Sequence, residues 1–208
     1  MAERPGDRSG VPGADDNTTV LGERFRSALM LACELHAGQV RKGSRGIPYV
    51  GHLLGVTSIV IEDGGDEDEA IAALLHDAPE DQGGGPTLAR IRSEYGERVG
   101  AIVEACADTL ENPKPPWRER KEGYLAHLEE APEEMLRVPL ADKVHNARAI
   151  LADYREVGEE LWSRFRGTRE ESLWYYRTLA DLFSRRRPGA LADELRRTVD
   201  EIEALARN

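Results

Sequence analysis

The sequence predicts an all-α protein, and three observations carry that expectation. Aromatic residues make up only 6% of the chain while Ala, Leu, Glu and Arg are frequent, a mixture that favours helices over β-branched, aromatic-rich sheets. Apolar residues recur at spacings of three and four through most of the chain, the signature of helices with one buried stripe. No stretch alternates convincingly over the length of a strand, and no internal repeat is visible.

The elements follow in order. Residues 1–19 carry Gly, Pro, Asp and Arg without an apolar core, so they read as a disordered tail and as neither a signal peptide nor a membrane start. From Leu21 to Leu35, Phe25, Leu29 and Ala32 mark an amphipathic helix. Gly43, Gly46 and Pro48 punctuate a loop over residues 41–49, after which His52–Ile61 resumes helical spacing through Val56 and Ile59 and stops at Gly64 and Gly65. Asp66 is placed to cap the next helix, whose Ala70–Ala78 core is almost wholly apolar until His76 and Asp77 interrupt it. Pro79 lacks an N–H and biases Ala78 away from helical geometry, so this buried central helix is expected to end or kink there.

Gly83, Gly84 and Gly85 predict a loop, and Pro86 or Thr87 then opens a helix to about Tyr95. A further helix is expected over Arg98–Leu110, before Asn112, Pro113, Pro115 and Pro116 break the chain. The remaining helices are expected over Trp117–Leu128, Glu133–Tyr154, Glu159–Phe165, Glu170–Arg185 and Leu191–Ala206. A chain of 208 residues suits one domain, here residues 20–186, with residues 187–208 as a C-terminal helix packed on it.

The net charge of −11 repels nucleic-acid polymers and anionic membranes, so a polyanionic substrate would need local positive charge or a metal ion. No run of about 18 apolar residues occurs, and Cys33 and Cys106, the only cysteines, lie within helical patterns. A disulfide framework is not expected, and a cytoplasmic, reducing location fits.

His76 and Asp77 are costly polar groups in an apolar helix, where such groups are paired, hydrogen-bonded or bound to metal. A satisfied structural His–Asp pair explains them equally well on that ground alone. His52, opening its helix after Pro48 and Tyr49, and Asp142, interrupting the apolar run Val138–Val144, add two ligand-type residues at core-facing positions. Two imidazoles and two carboxylates suit a borderline divalent ion such as Mn²⁺, Fe²⁺, Co²⁺ or Zn²⁺ and leave positions for water and a phosphate oxygen.

Glu80 and Asp81 follow His76 and Asp77 at helical spacing, and the chemistry they offer is to orient or deprotonate a water; a solvated acidic helix end is the plain alternative. Arg41, Lys42 and Arg45 concentrate positive charge ahead of His52, as a phosphate clamp would, or as a merely solvated loop would. Asn146 follows Asp142 by one helical turn, so its amide can face the same cavity and hydrogen-bond a base or sugar. Lys143 and Arg148 are neighbours offering charge or packing. His145 sits at a different angle from Asp142 and reads as a neighbour rather than a ligand. His127 looks exposed and carries no assignment, and His36 reads either as outer support of the site or as a core histidine.

Together these residues resemble the HD-domain hydrolases of the RelA/SpoT type, most closely the stand-alone small alarmone hydrolases. The resemblance lies in His36-Ala-Gly-Gln-Val-Arg-Lys42, Pro48-Tyr-Val-Gly-His52, Ala73-Leu-Leu-His76-Asp77 with Glu80-Asp81, Glu119-Arg-Lys121, and Ala141-Asp142-Lys-Val-His-Asn146, in order across residues 21–185. It implies a helical HD bundle with one Mn²⁺ held by His52, His76, Asp77 and Asp142. It further implies that Glu80 and Asp81 activate water, that Arg41 and Lys42 line the nucleotide site, and that Asn146 helps hold the nucleoside. The reaction implied removes pyrophosphate from the 3′ position of guanosine tetra- or pentaphosphate, giving GDP or GTP, and no synthetase domain is expected to accompany it.

The chain departs from that family where Ala78-Pro79 replaces the usual Thr-Val and Gln82 stands in place of the Thr after the second acid, followed by Gly83-Gly-Gly. That departure bears on the nucleotide selected more than on the metal. The competing readings are an HD phosphohydrolase for another nucleotide, a nucleotide sensor without turnover, and, more remotely, a dinuclear oxygenase.

Overall fold

The computed structural model describes residues 19–41, 46–111 and 113–207. Residues 1–18 of the expected tail over residues 1–19 lie outside the described residues, as do Lys42 and Arg45. Among the described residues the chain is helical throughout, with helices α1 (Glu23–Leu35), α2 (Val50–Glu62), α3 (Glu67–Leu75), α4 (Ala78–Asp81), α5 (Gly85–Tyr95), α6 (Glu97–Cys106), α7 (Trp117–Glu130), α8 (Arg137–Val157), α9 (Arg169–Arg186) and α10 (Ala190–Ala206). Short 3₁₀ turns cover Glu133–Met135 and Gly158–Arg164. The only extended pairing among the described residues is an isolated bridge between Val40 and Pro48.

Helix α3 is the axis of the fold, since every residue from Ala70 to Leu75 is buried and it packs against α1, α2, α6 and α8. An apolar helix of this kind cannot present a polar face to water, so it needs neighbours all round. Its start is set by Asp66, whose side chain accepts from Glu69 N while Glu69 returns a bond to Asp66 N, a reciprocal capping box. Fully buried leucines such as Leu53, Leu74 and Leu75 each contribute on the order of 1.5–3 kcal/mol by leaving water.

The end of α3 differs from the expectation. The regular helix stops at Leu75, before Pro79 is reached, and a new turn begins at Ala78 with Pro79 in its first positions. A proline is tolerated there because the first N–H groups of a helix have no intrahelical acceptor. Helix α6 also falls short of Leu110: Ala107 turns extended (φ −75°, ψ 128°), and Asp108 points inward to Arg120 and Lys121. The helix expected from Glu133 divides into a 3₁₀ turn and α8, and the segment expected over Glu159–Phe165 is 3₁₀.

Helix α8 is the long strut beside the axis, contacting α2, α3 and α6, and it ends at Gly158, whose φ of +60° a side-chain-bearing residue would resist. Helix α10 packs along α8 and α9, burying Leu191, Leu195, Val199 and Ile202, with outer ion pairs Arg148–Glu194 and Arg155–Glu201.

Candidate metal centre

Three segments deliver the polar residues to one place. The loop before α2 is pinched by Tyr49 N donating to Gln39 O at 2.9 Å and Arg41 N to Ile47 O at 3.0 Å, so Gln39, Arg41 and Tyr49 stand beside the first turn of α2 and its His52. The C-terminal end of α3 supplies His76 and Asp77, and the second turn of α8 supplies Asp142.

His52, His76 and Asp142 each point a ligand atom into a volume where these atoms lie within 4.8 Å of one another. His52 Nε2 stands 3.2 Å from Asp142 Oδ1 and 3.4 Å from Asp77 Oδ2, and His76 Nε2 stands 3.0 Å from Asp77 Oδ2 and 3.6 Å from Asp142 Oδ1. The structure therefore brings all four expected ligands together.

The histidines are 1–2% exposed. His76 Nδ1 lies 2.8 Å from Ala73 O, which fixes a hydrogen on Nδ1 and leaves Nε2 buried and aimed at Asp77 and Asp142 without a geometrically satisfactory hydrogen bond. A buried nitrogen aimed at two carboxylates fits a cation in the gap.

The surroundings hold the carboxylates in place. Tyr49 donates its hydroxyl to Asp77 Oδ2 at 2.5 Å, while Asp142 accepts from Asn146 Nδ2 and Lys143 Nζ, each at 2.6 Å. Burial opposes ionisation of Asp142, but Lys143 and the two histidines outweigh it and hold its carboxyl well below the usual range. Burial likewise raises Asp77, and His76 and His52 outweigh it. His76 shows the mirror effect, with burial overcome by Asp77 and Asp142 so that its affinity for a proton is well above normal. A site so attractive to a proton is a site attractive to a cation.

Glu80 and Asp81 diverge from α4. Glu80 turns toward Lys114, whose Nζ donates at 2.7 Å, and Asp108, whose N–H donates at 3.4 Å. Burial, then Asp108, raises its carboxyl above the ordinary value against the pull of Lys114, and Asp77 adds to the rise. Asp81 is exposed and accepts from Gln39 Nε2 at 2.7 Å. Asp81 follows Asp77 by one helical turn, its N–H donating to Asp77 O at 3.0 Å, while its carboxylate and that of Glu80 are held by partners outside the His–Asp cluster. Beside Glu80 lies a cavity of about 230 Å³ lined by Asp108, Lys114, Lys121, Arg164 and Arg166 among others.

Arg41 extends from the loop into the cluster, donating from Nη2 to Asn146 Oδ1 at 3.0 Å and bringing Nη1 to 3.2 Å from His145 Nδ1 and 3.3 Å from His52 Nδ1. Lys42 lies outside the described residues.

The comparisons with known proteins bear on this geometry. Residues 28–171 match the HD domain. The chain belongs to the HD-domain family. A guanosine-3′,5′-bis(diphosphate) 3′-pyrophosphohydrolase, MESH1, of Xenopus tropicalis is 37% identical over 141 residues, spanning 67% of this chain and 74% of that protein. Its Homo sapiens counterpart is 35% identical over 137 residues, spanning 65% and 72%. In fold the chain is similar to a metazoan ortholog of SpoT, with a TM-score of 0.69 at 24% identity over 90% of this chain and 97% of the other.

In an HD domain, the buried His52–His76–Asp142 cluster points to a divalent-metal site. The HD-type core here also includes Tyr49 and Gln39, to which the sequence pattern gave no role, and Lys143 and His145, read there as neighbours. Tyr49, Gln39, Lys143 and His145 all touch ligand-type residues or the acids beside them. Arg148, considered as a neighbour, instead pairs with Glu194 at the surface, and His127 is exposed as expected. His36 is buried with Nδ1 2.7 Å from Gln39 Oε1, one step behind Asp81. Among the described residues, no helix is long and apolar enough to cross a membrane.

Proposed function

We propose that this HD-domain protein is a divalent-metal-dependent pyrophosphohydrolase that cleaves the 3′-pyrophosphate from guanosine tetra- or pentaphosphate, giving GDP or GTP. The observation that carries the reading is the convergence of His52, His76, Asp77 and Asp142 from three separate segments into one buried cluster. The relatives named for that reaction, matched over two thirds of this chain, support the choice of substrate.

His52, His76, Asp77 and Asp142 would hold one divalent ion; the mixed imidazole and carboxylate set suits Mn²⁺, Fe²⁺, Co²⁺ or Zn²⁺, and the resemblance to the alarmone hydrolases favours Mn²⁺ among them. Such an ion supplies Lewis acidity, polarising a phosphoryl oxygen and lowering the pKa of water. Glu80 and Asp81, flanking the cluster on two sides, orient the attacking water and take its proton. Water adds to the phosphorus attached to the 3′ oxygen, the bond between them breaks, and pyrophosphate leaves as the 3′ oxygen regains a proton.

Arg41 places permanent positive charge beside the cluster, and with Lys42 it would hold the phosphates, while Asn146 would help seat the nucleoside. The cationic side chains lining the cavity beside Glu80 offer further charge for a polyanion in a chain of net charge −11. We place the activity in residues 20–186, with α10 part of the same body, and in the cytoplasm.

The test is incubation of the purified protein with guanosine tetraphosphate and Mn²⁺ beside a chelator control. Stoichiometric GDP and pyrophosphate, both lost with the chelator, are expected. Absence of pyrophosphate, or release only from other nucleotides in a panel, overturns the assignment.

A further inference from the structure

Two neighbouring helices meet through a pair of imidazoles. His52 Nδ1 lies 3.0 Å from His145 Nδ1, and the rings are tilted edge to face with centroids 4.8 Å apart. One of the two nitrogens must carry the hydrogen, and the direction follows from the rest of the site.

The Nε2 of His52 faces Asp77 and Asp142, so if that nitrogen is to present a lone pair to a cation the hydrogen must sit on Nδ1. That hydrogen needs an acceptor. Arg41 Nη1, 3.3 Å away, can only donate. Among the described residues His52 Nδ1 has no backbone carbonyl as partner, unlike His76 Nδ1 with Ala73 O. The acceptor that remains among the described contacts is His145 Nδ1.

An independent observation shows that the fold makes room for this ring. Gly55 stands one turn after His52 on α2, and a Cβ built there would lie 2.3 Å from His145 Nε2 and 2.5 Å from its Cδ2. Real Cβ atoms do not tolerate such approach, and glycine is otherwise a poor choice inside a helix. The absent side chain is what lets His145 reach across from α8 to α2.

We propose that His145 is a positioning residue for His52: it accepts the Nδ1 hydrogen, fixes the tautomer and ring plane that turn Nε2 toward the ion, and depends on Gly55 for its place. Arg41 stands over this pair and donates from Nη2 to Asn146, whose amide donates to Asp142. The two ends of the cluster are thereby joined through a second layer of side chains. This inference rests on the metal reading made above and deepens it.

The test measures Mn²⁺ and Co²⁺ affinity by chelator competition, together with the visible absorption of the Co²⁺-loaded protein, in four variants. His145→Phe keeps a ring and removes the acceptor; it is expected to weaken metal binding about 10–100-fold and to alter the Co²⁺ spectrum. His145→Asn, whose side-chain oxygen can occupy the Nδ1 position, is expected to retain most of the affinity. Gly55→Ala, although alanine is the better helix former, is expected to reproduce the Phe loss by displacing the ring. In the His145→Asn background the same Gly55→Ala change meets no Nε2 and is expected to add little, a non-additivity that packing damage alone would not produce. Thermal unfolding of each metal-free variant shows that the fold is intact.

Wild-type affinity in the Phe variant, or equal loss in Phe and Asn, overturns the acceptor role while leaving the metal site standing. A wild-type protein that binds neither ion overturns the metal reading and this inference with it.

Discussion

Tyr49 and Asp77 are joined by a 2.5 Å hydrogen bond to Oδ2, the carboxylate oxygen that also faces His52 and His76. Burial, and then the charge of Asp77, push the Tyr49 hydroxyl far above its ordinary pKa, so it remains a donor throughout the working range. Removing it leaves Asp77 free to rotate, and Tyr49→Phe is expected to weaken Mn²⁺ binding by about tenfold. Chelator competition measures this directly, and an unchanged constant would show that the bond does not orient the ligand.

Metal loading is expected to stabilise the fold. At free Mn²⁺ about 100-fold above its dissociation constant the gain is about 2.7 kcal/mol, or roughly 5–10 °C in Tm for a chain of this size. Asp142→Asn and His76→Ala are expected to abolish that shift, because each removes a donor from the buried cluster. Calorimetry with and without chelator checks the point.

Glu80→Gln and Asp81→Asn are expected to behave differently from the ligand variants. Each carboxylate is anchored outside the cluster, Glu80 by Lys114 and Asp81 by Gln39, so metal affinity should barely move. Turnover at saturating Mn²⁺ is expected to fall by about 10²–10⁴-fold if the residue handles the proton of the attacking water. Single-turnover rates with pre-loaded protein distinguish this from weakened nucleotide binding.

The cap of α3 gives a stability prediction with a pH signature. Burial opposes ionisation of Asp66, but Arg98 and the Glu69 N–H outweigh it and lower its pKa from 3.8. Its contribution is therefore present at neutral pH, begins to fade as pH falls below 3.8, and is gone below the lowered folded value. Asp66→Ala is expected to cost about 0.5–2 kcal/mol at pH 7. Denaturant unfolding at pH 7 and again near the ordinary aspartate value should show the gap narrowing.

The helical class and the four clustered ligand-type residues were legible because each breaks a local pattern. His76, Asp77 and Asp142 interrupt apolar runs, and His52 follows a proline turn. His145 escaped that logic. It lies off the angle of Asp142 on α8, yet α2 approaches from that side, and the angle of approach is a tertiary fact. Gly55 was equally silent, since one glycine in a helix has many explanations until its neighbour is seen.

The end of α6 is hidden from the sequence for a related reason. Nothing local stops the helix at Cys106; Asp108 is drawn inward by Arg120 and Lys121 from the following helix. The proline signal was sound in kind but misplaced by a few residues, because the chain leaves helical geometry ahead of the proline and uses it to begin the next turn.

The last helix supplies no group to the cluster, yet it bears on how the cluster works. Helix α8 carries Asp142, His145 and Asn146 to the cluster and is braced by α10, through a buried apolar strip and the outer pairs Arg148–Glu194 and Arg155–Glu201. A strut supported along its length keeps its donors preorganised, so an incoming ion need not first order the shell that receives it. Loosening that brace would weaken capture of the ion from a distance, without altering a single atom that touches it.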